Sequence, residues 1–157
     1  MNKINRLLEQ ASELVSLEEF DEAFYIYNKI LRDDPKNINA LIDKGVTLQR
    51  IGKNIQSIRY FDKALKLKPK NIDGLIGKGS ALHALGKFSS AIECYDIVLE
   101  INSKFPVALA YKGLSLGEQG KIKDALKCFK MALAIDKDYD LAQISKEKAL
   151  ELLKSKK

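Results

Sequence analysis

A 34-residue period runs almost the length of the chain, and few folds can accommodate it. Tyr27, Phe61, Tyr95 and Phe129 recur at that interval, as do Leu7, Leu41, Leu75 and Leu109. Two further leucine series keep the same step: Leu14, Leu48, Leu82, Leu116 and Leu31, Leu65, Leu99, Leu133. A repeat of this length is one supersecondary unit that cannot bury its apolar face alone and stacks on its neighbours. The units run 4–37, 38–71, 72–105 and 106–139, with a remainder at 140–157, and the whole of 1–157 reads as a single domain.

Each unit contains helical spacing twice. In the third, Leu75, Gly79 and Leu82 fall at i, i+4 and i+7, and Ala91, Tyr95, Val98 and Leu99 resume the stripe after Gly86-Lys87. Gly52, Gly86 and Gly120 stand between the paired helices, where a helix C-terminus favours a residue free to adopt positive φ. The first unit has Glu18 at that place. Pro35 and Pro69 punctuate the far end of units one and two, and Pro106 opens the first helix of unit four, where a missing N–H is tolerated. No stretch alternates as a strand would. The last segment, DLAQISKEKALELLKSKK, is amphipathic and is expected to cover the final apolar face as a capping helix.

Composition supplies a core and limits the setting. An apolar content of 46% suffices for one, and no apolar run approaches the length of a membrane span. MNKINRLLEQASELV lacks the apolar centre of a secretory signal, and two cysteines in an unstapled chain favour a reducing compartment. The expected location is cytoplasmic. The net charge of +6 is spread unevenly: unit one is acidic, unit two strongly basic, unit three near neutral and unit four mildly basic. That alternation does not make one continuous basic face.

These residues resemble the tetratricopeptide repeat along essentially the whole chain. The family places a large apolar residue at position 4, a small one at 8, alanine at 20 and an aromatic at 24. Here position 8 is Ala11, Gly45, Gly79 and Gly113, position 20 is Ala23, Ser57, Ala91 and Ala125, and position 24 is aromatic throughout. LGKFSSAIECYDIVLEI and QGKIKDALKCFKMALAI carry the likeness most strongly. It implies an all-α, right-handed superhelical solenoid of four helix-turn-helix repeats plus the C-terminal capping helix. The small residue at 8 lets the ring at 24 pack without a void. Departures are local: leucine replaces tryptophan at position 4, and Ser103 and Lys137 replace the closing proline.

No catalytic constellation stands out, and the chain is expected to be no enzyme and to carry no cofactor or metal. Gly45…Gly52-Lys53, Gly79…Gly86-Lys87 and Gly113…Gly120-Lys121 mimic a phosphate loop, but the spacing is wrong, no Ser or Thr follows, and no strand precedes. His83 is the sole histidine, and Cys94 and Cys128 recur on second helices as small packing residues. Position 7 is lysine in Lys44, Lys78, Lys112 and Lys146. Their aliphatic stems can cover apolar surface while the ammonium groups reach water; a linear basic track for an acidic partner is the other reading.

The resemblance assigns ligand contact to the first helices, at positions 2, 5, 9, 12 and 13. Carried onto this chain, the candidate groove comprises Leu8 and Ser12 in unit one, and Asn39, Ile42, Val46, Gln49 and Arg50 in unit two. Asp73, Ile76, Ser80 and His83 follow in unit three, and Ala110 and Leu114 in unit four. Position 5 forms an aliphatic column, Leu8, Ile42, Ile76, Ala110 and then Ile144, either a groove suited to an extended peptide or an amphipathic helix, or residues that tight curvature lets cover one another. The expected function is a protein–protein interaction scaffold. The family's clamp for acidic chaperone tails needs lysine, arginine and asparagine where this chain has Leu8, Ser12, Asp43, Asp73 and Gly77, and the next frame is no better. The alternatives are RNA or another acidic partner on the outer face of unit two, around Lys63 and Lys66, and self-association through the groove or last helix. Single-strand binding needs exposed aromatics beside basic residues, and Tyr111 is the one aromatic on a first helix.

Overall fold

The computed structural model describes residues 3–155, so the outermost two residues at each end of the expected domain lie outside it. Among the described residues there are nine α-helices and no strand. They are α1 (Lys3–Ser16), α2 (Phe20–Asp33), α3 (Ile38–Arg50), α4 (Asn54–Leu67) and α5 (Ile72–Ala84). α6 (Phe88–Ile101), α7 (Pro106–Glu118), α8 (Ile122–Ile135) and α9 (Asp140–Lys154) complete the chain. Helix starts reproduce the sequence period: the second helices begin at Phe20, Asn54, Phe88 and Ile122.

The turn inside each unit is the same device four times. The N–H of Gly52 donates to the carbonyl of Gln49, and that of Lys53 to Leu48 at 2.9 Å. Gly86-Lys87, Gly120-Lys121 and Glu18-Glu19 repeat the pattern one unit apart. This pair of bonds satisfies carbonyls left open at a helix end and requires a left-handed residue. Gly52, Gly86 and Gly120 adopt φ of 75°, 72° and 75°, and Glu18 is held at 62° despite its side chain. Between units, Asn37 and Asn71 cap the helices that follow by accepting from Ala40 N and Gly74 N.

The chain divides into two compact units, Met1–Gly77 and Lys78–Lys157. In the first, α1 packs on α2, α2 on α3 and α3 on α4. Its core joins Ala11, Ala23, Ile26, Tyr27, Ile30 and Ala40, with Leu8 and Leu14 packed against it. Phe61 is fully buried, and a β-carbon on Gly45 or Gly77 would come within 2.8 or 2.5 Å of its ring. In the second unit α6 packs on α7, α7 on α8, and α9 against both α8 and α7. Leu116, Ala125, Cys128, Phe129 and Ala149 form one cluster there, and Leu109, Ala110, Ala132 and Ala142 another. Close approach of small residues and rings thus replaces bulk at the helix crossings, as the position-8 glycines imply.

Candidate functional site

The lysine column is mostly tied down. Lys44 is buried, donates to Asn28 Oδ1 and lies 4.4 Å from the centroid of the Tyr60 ring. Lys112 pairs with the Asp96 carboxylate, and Lys146 donates to Gln143. The Lys44 and Lys112 ammonium groups serve the preceding helix and that of Lys146 its own, with aliphatic stems suited to cover apolar surface. The basic track is thereby weakened as a ligand surface.

In the first compact unit, Ser12, Asn39, Val46, Arg50 and Asp73 are exposed, Val46 at 48%. Leu8, Gln49 and Ile76 are half-buried, and Leu8 leans on the core around Tyr27. The Arg50 guanidinium lies 5.9 Å from the Phe20 ring centroid. Ile42 is only 7% exposed and has almost no surface to offer a ligand. Ala110, in the second unit, is fully buried among Leu109, Ala132 and Ala142, where α9 approaches α7. The aliphatic column is therefore not uniformly exposed: Ile42 and Ala110 are core, whereas Ile144 on α9 is 65% exposed.

Three candidate residues of the second compact unit do come together. Ser80 and His83 on α5 and Leu114 on α7 line one cleft of ≈ 290 Å³ with Tyr95, Tyr111 and Leu141. Residues outside the lining hold His83 in its wall. His83 Nδ1 is 2.9 Å from Ser115 Oγ, and its ring packs edge-on against Phe88 at 5.2 Å. Tyr95 and Tyr111 meet edge to face at 5.9 Å, and burial, then Tyr111 and Cys94, raises the Tyr95 hydroxyl pKa well above its usual range. The cleft offers apolar walls from Leu114 and Leu141 and several polar tips, the mixture typical of a site that takes an apolar group and orients it. Tyr95, Tyr111 and Leu141 are absent from the sequence-derived groove. Tyr111 could have been found as the lone aromatic of a first helix.

Cys94 and Cys128 are buried, and burial is the main cause raising the Cys128 pKa. Among the described residues no group of three or more His, Cys, Asp and Glu could hold a metal ion, and no helix is long and apolar enough to cross a membrane.

The family model of the tetratricopeptide repeat matches residues 38–71 and 72–105, the second and third units of the period. Those two units are tetratricopeptide repeats. That family is a structural repeat, not an enzyme class. No curated protein sequence matches the chain significantly. Among solved structures, a MamA protein superposes with a TM-score of 0.81 at 22% identity, covering 94% of this chain and 81% of that one. A tetratricopeptide-repeat protein from Parabacteroides merdae gives 0.81 at 22%, covering 98% of this chain and 60% of that one. The first repeat domain of Spaghetti (RPAP3), solved with the HSP90 peptide SRMEEVD, gives 0.71 at 22%, covering 76% and 95%. At these identities the likeness establishes the fold that the chain shares with them.

Proposed function

We propose that the chain is a protein–protein interaction scaffold that holds a peptide or helix of a partner, with the cleft of the second compact unit as an anchor for one apolar side chain. The observation that carries the reading is the convergence of Ser80, His83 and Leu114 with Tyr95, Tyr111 and Leu141 around one cleft. Its ≈ 290 Å³ sits near the lower bound of small-ligand pockets and suits a single large side chain better than a whole cofactor. The RPAP3 domain binds an acidic peptide. This chain has Leu8, Ser12, Asp43, Asp73 and Gly77 at the positions of the chaperone clamp, so an apolar anchor is favoured over a terminal carboxylate.

RNA contact on unit two is the weaker reading. Tyr60, the aromatic beside Lys63, already faces two ammonium groups, Lys44 at 4.4 Å and Lys63 at 5.2 Å from its centroid, which leaves little ring for a base.

Affinity capture from native lysate tests the proposal, with wild type beside His83→Gln and Tyr111→Ser. A partner held by wild type and lost from both variants, while their thermal melts stay close to wild type, supports the cleft. Equal retention by folded variants overturns it. A preparation that returns only the chain itself, with sedimentation showing dimers or larger, points instead to self-association.

A further inference from the structure

We propose that α8 carries a second docking surface, built for an acidic amphipathic helix of another protein. It shares no residue with the cleft and lies on a second helix, away from the first-helix positions that the repeat pattern assigns to ligands.

A shallow trough of ≈ 370 Å³ runs along α8, lined by Lys123, Leu126, Lys127, Lys130, Met131 and Ala134. These residues recur at helical spacing on one face, and the 3.6-residue turn puts the three lysines and Ala134 along its middle, with Leu126 and Met131 at its two edges. The lysines are exposed, Met131 is 44% exposed, and Leu126 leans on the core around Phe129. The only acid on α8 is Asp124. A solvated lysine face alone would be unremarkable; one bordered by an exposed methionine and a half-buried leucine is matched to a ligand that is both anionic and apolar.

The junction between α8 and α9 strengthens the charge argument. Two earlier junctions clasp a position-7 lysine to a side chain 16 residues upstream: Lys44 to Asn28, and Lys112 to Asp96. The same step back from Lys146 arrives at Lys130, a cation where the others have an acceptor. Lys146 instead donates within its own helix, to Gln143. An incoming carboxylate would supply at this junction what Asp96 supplies to Lys112. Three features favour a protein helix over nucleic acid. The trough has no aromatic to stack on a base, its apolar edges have nothing to gain from phosphate, and its stripe spans about three helical turns, the length an apposed helix would match.

The test is fluorescence polarisation of the full chain with a labelled synthetic peptide of about 15 residues carrying glutamates and leucines at helical spacing. A glutamine analogue and a labelled oligouridylate of about 15 nucleotides serve as comparison probes. The expected result is saturable binding of the acidic peptide in about 0.1 M salt. Lys127→Glu with Lys130→Glu should weaken it at least about tenfold. Met131→Ser should weaken it several-fold, the glutamine analogue should not bind, and His83→Gln should leave affinity unchanged. Should the double variant fail to melt cooperatively, Lys127→Gln gives the same reading with a smaller loss. No binding of the acidic peptide overturns the proposal. Unchanged affinity in Met131→Ser also overturns it, since attraction would then be charge alone. Oligouridylate bound more tightly than the peptide, and released by the same lysine changes, would make the surface a nucleic-acid site and the proposal wrong.

Discussion

A β-carbon on Gly113 would stand 2.5 Å from Cε1 of Phe129. The same holds for Gly79 and Cε1 of Tyr95, one unit earlier, also at 2.5 Å. Both rings are buried, so neither can swing clear into solvent. Alanine in place of a helical glycine gains at most about 1 kcal/mol of helix propensity. Overpacking a core costs about 1–3 kcal/mol, so the clash wins. Gly79→Ala and Gly113→Ala should each lower stability by about 1–2 kcal/mol in urea melts. A stabilised variant would show that the ring has room to retreat.

Glu18 is the one non-glycine residue with positive φ among the described residues, in the turn that glycine serves in the other units. A left-handed L-residue costs about 1–2 kcal/mol, against about 0.5–1 kcal/mol for the extra chain entropy that glycine loses on folding. Glu18→Gly should therefore raise stability by up to about 1 kcal/mol, read from the shift in the urea midpoint.

Ile42 and Val46 lie one turn apart on α3, yet Ile42 is 7% exposed and Val46 48%. Aspartate at the first would be buried without a partner and should cost several kcal/mol. At the second it should stay within about 0.5 kcal/mol. Differential scanning calorimetry of Ile42→Asp and Val46→Asp separates the two; equal melting points would contradict the burial of Ile42.

Burial, and secondarily the Asp73 charge, raises the Asp43 carboxyl above its ordinary value. The folded state then holds a proton that the unfolded state has already released, over a window beginning near the usual carboxylate range. Stability attributable to this group is full below that range and falls as pH rises through the folded value. Asp43→Asn should abolish that slope and leave the protein more stable than wild type near neutrality. Denaturant midpoints taken from about pH 4 to pH 7 provide the check.

Cys94 and Cys128 are buried, and the Cys128 thiol is pushed further from its reactive thiolate form. Ellman's reagent should label neither cysteine in the native protein within minutes, and both at once in guanidinium. Fast native labelling would mean that α6 and α8 open locally.

Helix order was almost wholly legible in the chain, because one period governs the turn residues, the small position 8 and the ring at 24 together. Gly86 and Gly120 announced their turns, and Gly79 announced the approach of Tyr95. Exposure at position 5 was not legible. Whether Ile42 or Ile144 meets water depends on how neighbouring helices crowd that face, and the period holds the place constant while the crowding varies. The cleft was half legible. First-helix positions gave Ser80, His83 and Leu114, whereas Tyr95 reaches in from α6 and Leu141 from α9. The lysine clasps were missed as well, since a 16-residue step within a 34-residue repeat leaves no signature in composition.

Those clasps bear on how such a chain can change length. The ring-to-glycine closures of Gly45, Gly79 and Gly113 lie within single units, while Lys44 and Lys112 reach back to the unit before. A duplicate of unit two or unit three would arrive with its interior already closed and its lysine 16 residues from an aspartate, Asp62 or Asp96. A duplication of any other length would bring the ring but strand the lysine. Growth of this chain by copying is thus admitted in whole units and penalised in fractions.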